Sequence, residues 1–179
     1  MFIALLATVA LADDAAPADR NTQFQFQIAQ QFLPESPAFH LSGRMIGERD
    51  GWLGAETRYA PTEEWMGRVS GGIDLFGGSN WDAQFGAFIG AAGTYDPEGF
   101  RMSYRPQAGG EIAVAGEMGW LYGRYRWLFG FGAEPLDRML TENELSVGLH
   151  PVEPVRVFGQ YLWLGQGRTG VGIGAQVTF

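Results

Sequence analysis

His40 and Ser42, two residues apart, and Glu56 form the one set in this chain whose types and spacing suit nucleophilic chemistry. An imidazole beside a hydroxyl, oriented by a carboxylate, can activate that hydroxyl for attack on an acyl carbon. The same three side chains would serve equally well in a buried hydrogen-bond network, and that is the role expected of them. A second constellation is larger. All 12 basic residues are Arg and Lys is absent. Arg44, Arg58, Arg68, Arg101, Arg105, Arg124, Arg126 and Arg156 fall at positions of the same kind as Glu56, Asp74, Glu111, Glu142 and Glu144. Guanidinium forks bind carboxylates bidentately, most strongly where water is scarce, so a confined ion-pair network is expected. Other chemistry is excluded. With no Cys there are no disulfides, no thiol catalysis and no Cys-ligated zinc. His40 and His150 are too far apart in sequence to suggest a transition-metal site, and His150, beside the Pro151–Pro154 turn, is expected to be solvated. The glycines of 170–174 keep strand parity with no helix after them, so they are not a phosphate loop. Neither a metal nor a cofactor is expected.

The elements that must position these residues are strands. Alternation with period two runs through the chain from about residue 23. Phe24, Phe26 and Ile28 alternate with Gln. Phe39, Leu41, Gly43 and Met45 alternate with His40, Ser42 and Arg44. Leu53, Ala55, Thr57 and Tyr59 alternate with Trp52, Gly54, Glu56 and Arg58. Two further runs start at Trp65 and Trp81, and a sixth holds Phe100 to Val114 on one parity with Arg101, Arg105 and Glu111 on the other. The seventh sets Leu121, Tyr125 and Trp127 against Trp120, Tyr122, Arg124 and Arg126. In the eighth, Leu145, Val147 and Leu149 oppose Glu142, Glu144 and Ser146, and in the ninth Val155, Val157 and Trp163 oppose Arg156, Phe158 and Gln160. The tenth places Val171, Ile173, Ala175, Val177 and Phe179 against glycines, Gln176 and Thr178. Short Gly- and Pro-rich turns separate the runs, one of them expected at 115–117. Ten strands joined by short turns predict an up-and-down meander that closes on itself to remove its edges, eight being the alternative count. The 179 residues fit one such domain. Their net charge of −8 argues against nucleic acid as a partner.

Residues 1–12 are apolar and end in Ala10-Leu11-Ala12, which reads as the end of a secretory signal peptide. A short periplasmic segment (13–20) and the barrel (21–179) follow. Alternation by itself does not say which face points out, and a soluble periplasmic lipid-binding barrel would be its inverse. Three features favour an apolar outside: the leader, the Gly, Arg and carboxylate content of the polar parity, and aromatics near strand ends. Those aromatics are Tyr59, Trp65, Trp81, Phe100, Trp127, Trp163 and Phe179, expected as interfacial girdles.

These residues, with the C-terminal run Val171, Ile173, Val177 and terminal Phe179, resemble a small bacterial outer-membrane β-barrel of OmpA/OmpX-type architecture. The resemblance implies a location in the outer membrane and contact with its lipid and lipopolysaccharide. It also implies that the C-terminal strand is the signal read by the barrel assembly machinery. Two departures from that group are the ten strands in place of eight and the lack of long loops. His40, Ser42 and Glu56 loosely resemble the His-x-Ser plus Glu set of outer-membrane lipid A deacylases, with Gly43 where an Asn would follow. That hydrolase is a minor alternative to a non-enzymatic role, because these side chains point to the lumen and a lipid approaches from outside.

With both termini periplasmic, the outer turns carry Glu35, Glu63, Glu64, Asp96, Glu98, Glu134 and Asp137 against Arg138 and Arg168. Such an acidic rim could bind Ca²⁺ or bridge lipopolysaccharide through divalent ions. Arg58, Arg68, Arg101, Arg105, Arg124 and Arg126 are expected in the outer half of the lumen. Two readings of that lumen stay open: a side-chain plug in a monomeric structural or interaction protein, and a small anion-preferring pore. In the second, the glycines of the last strand leave room that Trp120 and Tyr122 could fill.

Overall fold

The computed structural model describes residues 22–34, 36–47, 51–61, 64–77, 81–96, 101–132, 139–152, 154–165 and 167–179. The leader and the segment after it lie outside these residues, as do Phe100 and the turn residues Glu35, Glu63, Glu98, Glu134, Asp137 and Arg138. Ten strands follow one another: β1 (Gln23–Phe32), β2 (Pro37–Ile46), β3 (Gly51–Tyr59), β4 (Glu64–Gly77), β5 (Trp81–Asp96), β6 (Arg101–Met118), β7 (Leu121–Phe131), β8 (Leu140–Val152), β9 (Val155–Trp163) and β10 (Thr169–Thr178). Each pairs antiparallel with the next, and β10 returns to β1 to close the barrel. Gln25 lies opposite Thr178 and Phe32 opposite Val171 across that seam. The count is ten, and the fold is the closed antiparallel meander that the alternation predicts.

Both ends of the described chain lie at one end of the barrel, together with the β2–β3, β4–β5, β6–β7 and β8–β9 connections. We call this the terminal end and the other the far end. The strands are not uniform. β5 and β6 have 16 and 18 residues, while β3 and β9 have 9 each. β6 is paired with β7 only from Ala108 onward, so its first residues extend past β7 at the far end.

Two connections differ from the sequence reading. The turn expected at 115–117 lies at Gly119–Trp120, and β6 runs through to Met118. Gly119 takes a φ of 61°, a left-handed turn conformation that costs glycine little, which is why the reversal falls there. Trp120 therefore sits in the turn, 64% exposed, and does not fill the lumen. At the next connection on that end, β8 continues past Leu149 to Val152 through a bulge, which draws His150 into the strand.

Burial decides which face is out. Ile89, Tyr104, Phe131 and Ile173 are between 62% and 71% exposed, whereas Glu111 and Gln31 are fully buried and His40 and Arg68 nearly so. An apolar outside around a polar inside is the reverse of what a soluble lipid-binding barrel requires, so that alternative fails. Strands of nine or more residues are long enough to cross the apolar thickness of a bilayer when tilted. Inside, two small apolar clusters flank the polar centre. Ala29, Tyr122 and Phe158 form one; Phe88, Leu128 and Leu140 form the other.

Lumen-facing glycines let neighbouring strands of the closed wall come close together. Gly109 and Gly130 are partners across β6 and β7. A Cβ on Gly109 would lie 2.0 Å from the carbonyl oxygen of Phe129, and one on Gly130 would lie 2.2 Å from that of Ala108. Here the two backbones approach more closely than any side chain permits.

Candidate functional site

The site is the lumen itself, and register explains some of its contacts. Glu56 on β3 lies opposite Arg68 on β4, and Ser42 on β2 lies opposite Glu56. Strand alternation brings such neighbours onto the inner face together. Others arise only on closure, chief among them three spans that cross the lumen. Arg44 of β2 reaches Glu111 of β6 at 2.6 Å. Arg126 of β7 reaches Glu56 of β3 at 2.6 Å. Arg68 of β4 grips both oxygens of Glu142 on β8, at 2.9 and 2.6 Å. Each span joins strands four apart in the ring of ten, close to a diameter.

Shared partners weld the spans into one lattice. Arg126 also holds Glu111 through Nε at 3.0 Å and Nη2 at 3.1 Å. Arg68 Nη1 lies 3.3 Å from Glu56, and its Nε donates to Gln107 Oε1 at 2.8 Å. His40 Nε2 lies 3.4 Å from Glu56. Arg58 and Arg124 reach Glu142 and Glu111 only at 3.9 Å. Arg44 also donates to Gln84, and its guanidinium lies 3.9 Å from the centre of the Trp52 ring. Glu144 accepts from Gln160 at 2.9 Å and from Ser146 at 3.1 Å. A lysine has no planar fork with which to grip two oxygens at once, so Arg suits a lattice of this kind.

The lattice constricts the lumen. On the far side lies a cavity of about 410 Å³, lined by Arg58, Arg68, Arg105, Glu142 and the apolar Met66 and Leu140. At the waist, beside His40, Glu56, Arg126 and Glu144, lies a small pocket of about 30 Å³. Toward the terminal end a cavity of about 160 Å³ is lined by Arg44, Asp82, Glu117, Arg124 and Arg156. Arg124 thus belongs with the terminal-end groups and not in the far half, where the sequence reading put it. Only three residues separate it from the Gly119–Trp120 turn. Asp74 faces the lumen opposite Gln84. The side chain of Arg101 lies outside the described residues.

At the terminal end Arg156 pairs with Glu117 and lies 5.2 Å from the Tyr122 ring centre. His150 Nδ1 lies 3.6 Å from Glu117, so it joins this cluster and is not simply solvated. Glu117 was missed because it fell in the expected turn, although it continues the parity of Glu111. Leu128 and Leu140 were missed as lumen residues too, and the same alternation carries them inward.

Ser42 makes no hydrogen bond to His40 or Glu56 among the described residues, and His40 Nδ1 has no partner. The imidazole turns to Glu56 and the set lies against a void of about 30 Å³, so the geometry of an activated hydroxyl is not formed.

Outside, Tyr59, Trp81, Trp127, Trp163 and Phe179 are 38–66% exposed. Tyr59 and Trp163 end their strands at the far end, while Trp81 begins β5 at the terminal end. Trp65 is half-buried and lines the far-end cavity instead of standing wholly outward. In the last strand Val171 and Ile173 are exposed, but Val177 is 2% exposed, covered by its neighbours in a row with Phe26 and Val155.

Among solved structures, the KdgM porin superposes on this chain with a TM-score of 0.54 at 9% identity, over 87% of this chain and 99% of that one. The NanC porin does so with a TM-score of 0.52 at 11% identity, over 85% and 98%. The fold is that of an outer-membrane β-barrel. At such identities the likeness is one of fold alone. No protein-family model matches the chain, and no curated protein matches it.

Proposed function

We propose that this protein resides in the bacterial outer membrane as a non-enzymatic barrel whose lumen is plugged at mid-depth, serving a structural or interaction role in the envelope. The observation that carries the proposal is the set of three Arg–Glu spans across the waist, beside which lies a pocket of only about 30 Å³. Small barrels are commonly filled by their own side chains, and a doubly bonded guanidinium pair is a firm filler. In this reading the protein is monomeric and both termini face the periplasm. Its apolar wall meets lipid and lipopolysaccharide, and the C-terminal strand with Phe179 is read by the barrel assembly machinery. The OmpA/OmpX-type architecture belongs to the same proposal. Two experiments test it. In gels run with and without boiling, outer-membrane fractions should give a band that shifts on heating; a soluble, unshifted band would refute the membrane location. In planar bilayers the purified barrel should show no resolved conductance steps; steady single-channel steps would refute the plug.

A second reading, a small anion-preferring pore, is favoured by one feature of the lattice. Five guanidiniums (Arg44, Arg58, Arg68, Arg124, Arg126) reach three carboxylates in and beside it (Glu56, Glu111, Glu142), while Glu144 is held by Gln160 and Ser146. Its mark would be conductance whose reversal potential favours anions and moves toward cations in Arg124→Ala.

A further inference from the structure

The far-end cavity holds a cation that the lattice leaves short of a partner. Glu142 gives both its oxygens to Arg68, at 2.6 and 2.9 Å, so Arg58 reaches it only at 3.9 Å. The Arg58 side chain is 15% exposed, and its Nε has no hydrogen-bond acceptor. The indole Nε1 of Trp65 is likewise buried without an acceptor. Both residues line the same cavity of about 410 Å³, within the range of about 300–1,000 Å³ common to small-molecule sites. Buried donors without acceptors are rare in folded proteins, because each forfeits the hydrogen bonds it made to water. Two of them, one cationic, beside an apolar wall of Met66, Leu140 and Leu164, describe a recognition surface with its acceptor missing.

From this geometry we infer that the far-end cavity is a binding site for a small organic carboxylate with an apolar body. The carboxylate would take the Arg58 guanidinium, where a charged acceptor forms a short, strong bond. The body would lie along Met66 and Leu140, which are 5% and 6% exposed. Arg68 cannot compete for the ligand, being held on Glu142 and Glu56. The site does not depend on whether the waist conducts, since it lies wholly on the far side of the lattice.

The test uses the whole barrel refolded in detergent micelles, with benzoate as probe and benzamide as its uncharged counterpart. Binding is read from the Trp65 indole N–H resonance, assigned with Trp65→Phe. Benzoate should shift that resonance saturably, and benzamide should bind at least tenfold more weakly. Arg58→Gln should weaken benzoate at least tenfold, with Arg58→Lys intermediate; the heat-shifted band shows that each variant is folded. Should Arg58→Gln fail to fold, the benzoate–benzamide contrast on the unaltered barrel decides. An unsaturable benzoate response, equal binding of the two probes, or full benzoate affinity in folded Arg58→Gln would each overturn the site.

Discussion

Arg126 is the hub of the lumen, and replacing it tests whether the lattice acts as a unit. Its guanidinium makes two bonds to Glu111, at 3.0 and 3.1 Å, and one to Glu56 at 2.6 Å. In Arg126→Met those carboxylates stay buried but not abandoned. Glu111 keeps Arg44 at 2.6 Å and Arg124 at 3.9 Å, and Glu56 keeps Arg68 at 3.3 Å and His40 at 3.4 Å. Breaking one side of a buried pair costs roughly 3–5 kcal/mol, and the surviving partners place this variant near the lower figure. Glu56→Gln removes the other side of the 2.6 Å span while leaving Arg126 on Glu111 and Arg68 on Glu142. Because both changes sever the same contact, their costs overlap. The double variant should lose less than the sum of the singles, by about 1–3 kcal/mol. The assay is urea unfolding of the barrel in lipid vesicles, followed by tryptophan fluorescence. Strict additivity, within about 0.5 kcal/mol, would refute the claim that this pair is coupled across the lumen. If the barrel were held by its backbone ladder alone, both single variants would also leave the unfolding midpoint in place.

Three further outcomes follow from particular positions. Ile173, 62% exposed in the middle of β10, should not tolerate a charge: Ile173→Arg should cost about 2–4 kcal/mol and deplete the heat-shifted band. Wild-type levels of folded Ile173→Arg would count against an outward lipid face. Gly109→Val should fold less well than Gly67→Val, as judged by heat-shifted yield. A Cβ at Gly109 meets a carbonyl oxygen at 2.0 Å, whereas one at Gly67 meets nothing within 4 Å. On the outer wall Tyr125 donates its hydroxyl to Asn143 at 2.5 Å, so Tyr125→Phe strands an amide on the apolar face. That loss should cost about 1–3 kcal/mol in the same unfolding assay, and Asn143→Leu added to it should restore part of the loss.

Much of this barrel was legible in the sequence because a strand's two faces follow from local alternation. Phe39, Leu41 and Met45 against His40, Ser42 and Arg44 needed no tertiary information, nor did the ten-strand count or the gathering of Arg and Glu on one parity. Local signals compete at the β6–β7 connection. Ala115-Gly116-Glu117 has the small and polar residues of a turn, yet Gly119 offered the cheaper left-handed reversal, and β6 kept its ladder to Met118. Trp120 moved to the rim for the same reason, and Glu117 entered the lumen.

Partner choice inside the lumen lies beyond any such local rule. That Arg44 meets Glu111, Arg126 meets Glu56 and Arg68 meets Glu142 depends on which strands face each other once β10 has closed on β1. Those residues are 67, 70 and 74 positions apart, and only the circumference and tilt of the closed barrel bring them within bonding distance. The same closure pinches the waist, sets Arg124 on the terminal side of it, and leaves Arg58 behind with its Nε unmet. Alternation along the chain determined which side chains share a face. Closure alone decided which of them meet, because distances across a lumen are fixed by the whole ring and by no segment of it.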